Sequence, residues 1–172
     1  ISGLARVYSA LALAESVIQG STDKKIDAKF AEELKTAWTQ IEEAINNDFG
    51  TPIAFATVFE VIRKFNSQFR RGMKVTPELA GKAQQFTEFV KKLGVMMSLF
   101  QQPPSQFLID LDDKILQQKN LKRADIEALV LERAKVREAK DFAKADELRK
   151  KLTDFGISVS DLPAGSFWEV TK

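Results

Sequence analysis

From Leu79 to Phe100 the apolar residues Leu79, Ala83, Phe86, Val90, Leu93, Met97 and Phe100 follow one another in alternating steps of four and three. An α-helix returns residues so spaced to one side, and a seam this regular suits a helix packed along its length against others. Three shorter stripes precede it: Leu4, Val7, Tyr8, Leu11, Ala14 and Ile18; then Phe30, Leu34, Trp38, Ile41 and Ile45; then Phe55, Val58, Phe59, Ile62, Phe65 and Phe69. Each predicts an amphipathic helix, and the aromatic row of the third is read as core. The breaks between them are short and polar. Asp27 is placed to cap the second helix, Thr51 with Pro52 the third, and Thr76 with Pro77 the fourth. Four such helices on short loops predict an up-and-down antiparallel bundle over residues 1–102. The 44% hydrophobic content is enough to fill its core. No capping residue precedes the first stripe, which predicts that this helix belongs to a longer chain.

Pro103 and Pro104 stop the fourth helix. Residues 103–122 are polar and are expected to form a linker with at most one helical turn. Beyond them, Ile126, Leu129, Val130 and Val136 lie near helical spacing. Lys140-Asp141-Phe142 interrupts the run, with Asp141 as cap for a further helix carrying Ala145, Leu148 and Leu152. Gly156 is a helix stop. Ile157-Ser158-Val159 alternates as a strand, Asp161 to Gly165 is a turn, and Ser166 to Val170 returns. The expected fold class is therefore mainly α: a bundle, then a helical hairpin with a short β-hairpin over residues 123–172.

The composition excludes much chemistry. The chain has neither cysteine nor histidine. A Cys/His zinc site, a Ser-His-Asp triad and a Cys-His dyad are impossible, and no disulfide can form. No phosphate-binding loop, dinucleotide fingerprint or nucleophile elbow appears. The longest apolar runs, such as Ala10 to Ala14, are too short to span a membrane, and the expected compartment is the cytoplasm. The net charge of +2 gives no general affinity for polyanions, so any nucleic-acid site is a local patch. Arg133, Arg137, Lys140 and Lys144, at i, i+4, i+7 and i+11, share one helical face if the break at Lys140 is mild. Such a face beside exposed rings suits single-stranded RNA, where phosphates meet cations and bases stack. The other reading is a solvated face with pairs such as Arg137 with Asp141.

The tail carries Arg137-Glu138-Ala139-Lys140-Asp141-Phe142, Ala145-Asp146, Leu148-Arg149, Gly156-Ile157 and Asp161-Leu162-Pro163-Ala164-Gly165-Ser166-Phe167-Trp168. In order and spacing these pieces resemble the C-terminal end of bacterial cysteinyl-tRNA synthetases, whose closing motif is D-x-P-x-G-T-x-W. Leu4-x-Arg6-x-Tyr8-x-Ala10-Leu11 is similar to the first helix of that family's all-helical, DALR-like domain. Asn47-Asp48-Phe49-Gly50-Thr51-Pro52 is similar to its D-D-F-N-T-P connection, with Asn47 and Gly50 departing from it. The resemblance implies that the tail binds the anticodon of cysteine tRNA through Arg137, Phe142, Asp146, Arg149 and Asp161. Either aspartate would accept two N–H donors of a guanine edge, the arginines would donate to carbonyls or phosphates, and Phe142 would stack where many relatives carry Trp. Arg133, Lys140 and Lys144 would meet the RNA backbone, and Trp168 would stack or pack the β-hairpin. The family's catalytic signatures, including K-M-S-K-S, do not occur between Ile1 and Lys172. ATP and zinc are thus implied only for a catalytic domain in cis, with none in this chain, and the expected state is monomeric. Two alternatives stand beside this: a protein-interaction hairpin of the excision-repair type, and the C-terminal part of a mycothiol cysteine ligase.

Overall fold

The computed structural model describes residues 2–69, 73–162 and 165–171. Among them are seven helices and one two-stranded sheet: α1 (Ser2–Gln19), α2 (Ala28–Asn46), α3 (Thr51–Ser67), α4 (Pro77–Met97), α5 (Pro104–Gln118), α6 (Arg123–Glu138), α7 (Phe142–Asp154), β1 (Ile157–Leu162) and β2 (Gly165–Val170). The protein is mainly α. It divides into two compact units, residues 1–105 and 106–172.

In the first unit α1 packs chiefly on α4 and α2 on α3. Ring contacts fix the directions. Tyr8 meets Phe100, while Gly20 lies beside Val75, so α1 runs against α4. Phe65 stacks on Phe86 and Gln68 bonds Lys82, so α3 also runs against α4. Asp27 reaches Lys82 and Trp38 reaches Phe89, so α2 runs with α4. Directions therefore alternate along the chain, as an up-and-down bundle requires. The core contains Val7, Leu11, Phe30, Leu34, Ile41, Val58, Ile62, Phe65, Phe86, Val90 and Leu93, drawn from all four stripes. Two stripe residues are displaced. Leu4 is exposed near the first turn of α1, and α3 buries Ala54 and Val61 where Phe55 is only half-buried. Gly81, buried on α4, is required by a close approach. The carbonyl oxygen of Lys25 lies where a Cβ would be, 1.8 Å away, and the Lys25 N–H donates to the Pro77 carbonyl at 2.8 Å.

Two of the expected caps in this unit form. Asp27 accepts the Phe30 N–H at 2.8 Å, and Thr76 accepts the Leu79 N–H at 3.3 Å. Thr51 is instead the first residue of α3, and Gly50 occupies the cap position without a side chain to offer. The Phe30 N–H, and with it the Lys82 ammonium, hold the Asp27 carboxyl below the usual carboxylate value against the opposing effect of desolvation. Because the folded group titrates below the unfolded one, its contribution is complete above the unfolded value and is lost as pH falls through the folded one. Asp27→Ala is therefore expected to cost about 1 kcal/mol in urea unfolding at neutral pH. The gap to wild type should close in acid. A gap that widened on acidification would contradict the assignment.

Residues 103–122 depart from expectation: α5 is a helix of 15 residues, not a linker with one turn. Leu116, at its end, belongs to the second core with Ile126, Val130, Leu152, Ile157 and Val170.

Candidate nucleic-acid interface

In the second unit α6 buries Ile126, Val130 and Arg133, which are four and three residues apart and so lie on one face. The chain then reverses at Ala139–Asp141, with Lys140 at φ 62°. Asp141 caps α7, accepting the Lys144 N–H at 3.1 Å. Lys144 Nζ meets Glu132 at 3.0 Å across the hairpin, a contact that requires α7 to return along α6. The expected continuous basic face over Arg133, Arg137, Lys140 and Lys144 therefore does not form: the break is a reversal, not a mild kink. The Glu132 carboxylate holds the Lys144 ammonium above its ordinary lysine value.

α7 buries Ala145, Leu148 and Leu152. It ends at Phe155, where Gly156 takes φ 75°, a left-handed conformation suited to glycine. Lys119 Nζ caps this end by donating to the Phe155 carbonyl at 2.9 Å. β1 and β2 pair antiparallel from Ile157↔Val170 to Leu162↔Gly165; Pro163 and Ala164, expected at the turn, lie outside the described residues. Period-two alternation puts Ile157, Val159 and Asp161 on one face with their partners Val170, Trp168 and Ser166. Val170 and Ile157 are buried, and Trp168 is half-buried with the Arg123 guanidinium 4.7 Å from its ring centre. Trp168 is thus a packing residue in this arrangement.

Asp161 is the hub. Its Oδ1 accepts Arg133 Nη1 at 2.8 Å and its Oδ2 accepts Arg133 Nη2 at 3.1 Å. Oδ2 also accepts Arg137 Nη1, and Ser166 Oγ donates to Oδ1 at 3.0 Å. The Arg133 side chain is 5% exposed, and its Nε is buried without a hydrogen-bond partner. Arg133 therefore joins α6 to the β-hairpin and is not placed to meet an RNA backbone. Among the described residues, the expected pairing of Arg137 with Asp141 does not form. Asp141 serves the α7 cap, and Arg137 turns to Asp161.

The remaining expected residues form a different surface. Phe142, Asp146 and Arg149 occupy i, i+4 and i+7 of α7, beside the buried stripe and not within it. All three are exposed, Phe142 by 61%. Among the described residues, neither the Asp146 carboxylate nor the Arg149 guanidinium has a hydrogen bond or ion pair. The stripe thus offers a stacking ring, an open acceptor pair and an open donor fork within about two helical turns. Lys140 is exposed at the hairpin turn. Phe167 was not anticipated. It is 52% exposed on the outer face of β2, opposite Trp168, and strand alternation was the signal that marks it.

Comparison with known proteins adds the following. Residues 40–101 match the family described as DALR domain, and residues 123–168 the cysteinyl-tRNA ligase anticodon binding domain. A cysteine--tRNA ligase of Bdellovibrio bacteriovorus is 58% identical over 172 residues, covering 100% of this chain and 36% of that protein. Those of Nitratidesulfovibrio vulgaris strain Hildenborough and Trichlorobacter lovleyi are 32% and 30% identical, over 97% and 98% of the chain and 35% and 36% of their own lengths. The chain thus spans about a third of the length of the curated relatives it matches, in their C-terminal part.

Proposed function

Because this chain carries the DALR domain and the anticodon-binding domain of the cysteine--tRNA ligases, we propose that it binds cysteine tRNA and reads its anticodon. It would do so as a cytoplasmic monomer, in cis with a catalytic domain that attaches cysteine at the expense of ATP. The observation that carries this is the α7 stripe, where an exposed ring, an unpaired carboxylate and an unpaired guanidinium lie in line on the matched segment. An unstacked base presents a face to Phe142 and a Watson–Crick edge to Asp146 and Arg149. Asp146 can accept two adjacent N–H groups of a guanine, and Arg149 and Arg137 can donate to base carbonyls or phosphates. Lys140 and Lys144 supply charge for phosphates, Lys144 after exchanging its exposed bond to Glu132, a bond of the kind that contributes little in water. In this reading zinc and ATP belong to the catalytic domain and not to this chain. The chain has no Cys or His, and no group of three or more metal-ligating side chains occurs among its described residues. The activating chemistry falls to the part of the relatives that it does not span.

The test compares RNA stem-loops carrying the cysteine anticodon with single-base variants, at one low salt concentration. Phe142→Ala is expected to weaken cognate binding by about 1–3 kcal/mol, the scale of one base stacked on a ring. Asp146→Ala should narrow the preference for the cognate anticodon by about 1–3 kcal/mol. Lys144→Ala should weaken all loops alike and lower the salt slope by about one. Equal binding of cognate and scrambled loops by the wild-type chain would remove anticodon reading and favour a protein-interaction hairpin.

A further inference from the structure

A carboxylate has about four lone-pair sites. At Asp161 Oδ1 takes Arg133 Nη1 and Ser166 Oγ, and Oδ2 takes Arg133 Nη2 and Arg137 Nη1. The group is saturated from within the protein and has no acceptor site to offer a guanine. The two arginines that fill it are held differently. Arg133 is buried, and leaving Asp161 would strand its charge in the core. The Arg137 side chain is 42% exposed, gives one N–H to Oδ2, and makes no other hydrogen bond among the described residues. Two guanidiniums on one carboxylate also leave the cluster formally one positive charge in excess.

We propose that Arg133 and Asp161 are positioning residues for Arg137: the carboxylate of Asp161, held by the buried Arg133, fixes the Arg137 guanidinium as a preorganised donor to an anticodon base carbonyl. Asp161 then contributes to anticodon discrimination through Arg137 and not by accepting from a base. This rests on the function proposed above. An exposed arginine loses rotamer freedom when a ligand immobilises it, and a tether already present in the free protein removes part of that cost. Ser166 strengthens the tether by occupying the other oxygen and holding the carboxylate plane to the hairpin. Arg149, which has no such partner among the described residues, is the internal contrast.

The experiment has two arms, both on the full 172-residue chain. In the first, NMR measures rotation and hydrogen exchange of the arginine guanidiniums in the free wild-type protein. Arg137 is expected to be slow and Arg149 fast, and Asp161→Asn should release Arg137. Equal mobility of Arg137 and Arg149 overturns the proposal, and this comparison requires no variant to fold. In the second arm, Arg137→Ala is expected to reduce the preference for the cognate stem-loop over single-base variants about tenfold, the scale of one base-reading contact. Adding Asp161→Asn to Arg137→Ala should reduce it no further. If the two losses multiply, Asp161 reads a base directly, the positioning role is lost, and anticodon reading stands. A wild-type chain with no anticodon preference removes the function and this inference together. That outcome is distinct from the multiplying case, in which the wild type still discriminates.

Discussion

Asp161→Ala is expected to destabilise the 106–172 unit by about 3 kcal/mol. The loss comes less from the removed carboxylate than from what it leaves behind. Arg133 would remain in the core with both terminal nitrogens unbonded, beside an Nε that already lacks a partner. Breaking a buried pair by deleting one member costs about 3–5 kcal/mol, because the survivor is a desolvated charge. The lower end applies here because Asp161 itself is 41% exposed and water can reach the site. Arg137 and Ser166 lose a bond as well, but both can turn to solvent. Hydrogen exchange of the β1 and α6 amides reports on this unit directly. Unchanged protection of the Ser158 and Ser160 amides, which face the partner strand in this register, would show that the cluster does not hold the hairpin. Arg133→Met combined with Asp161→Ala should recover much of the loss, since an apolar side chain of similar length removes the stranded charge. The same result bears on function. A drop in RNA affinity with Asp161→Ala is uninterpretable unless the folded fraction is measured beside it, which is why the milder Asp161→Asn serves the binding experiments.

Phe86→Ala is expected to cost the bundle about 4 kcal/mol. The ring is fully buried and lies parallel to that of Phe65, with centres 4.1 Å apart and planes at 6°. Phe65 in turn contacts Phe69 at 4.6 Å, so the deletion opens a cavity between α3 and α4 at the centre of an aromatic cluster. Close packing leaves little room for neighbours to collapse into the space. Single domains are stable by only about 5–15 kcal/mol, so the variant should melt roughly 15–30 °C lower for a domain of this size. Phe49→Ala is the control: its side chain is 77% exposed, and such changes stay within about 0.5 kcal/mol. Equal effects of the two substitutions on urea unfolding would contradict the core described here.

The bundle was legible because its signal is periodic and local. Each stripe announces its own helix, and Asp27, Thr76 and Asp141 cap residues three positions away, so a short window of sequence contains both partners. α5 was not legible for a physical reason. Its apolar positions Leu108, Leu111, Ile115 and Leu116 are interrupted by Asp110, Asp112 and Asp113, and Asp112 is itself buried. A stripe that contains a buried carboxylate reads as polar. Arg133 presented the same difficulty. It continues the spacing of Ile126 and Val130, which marks it as inward-facing, yet its charge invites a solvent or RNA role. Its partner lies 28 residues away on another element, beyond what helical spacing can reveal. The α7 stripe of Phe142, Asp146 and Arg149 was identified by resemblance; that it is exposed and unpaired required the structure.

The pairing of α1 with α4 has a kinetic consequence. α2 and α3 adjoin in sequence and can form a hairpin with little loop-closure cost, whereas α1 must wait for a partner that lies beyond both of them. During synthesis from the N-terminal end, the face bearing Val7, Leu11, Ala14 and Val17 therefore remains without its main covering until α4 has left the ribosome. That interval is when this unit is most open to non-native association and to capture by chaperones, and any pause in translation between the codons for Gln19 and Met97 would lengthen it.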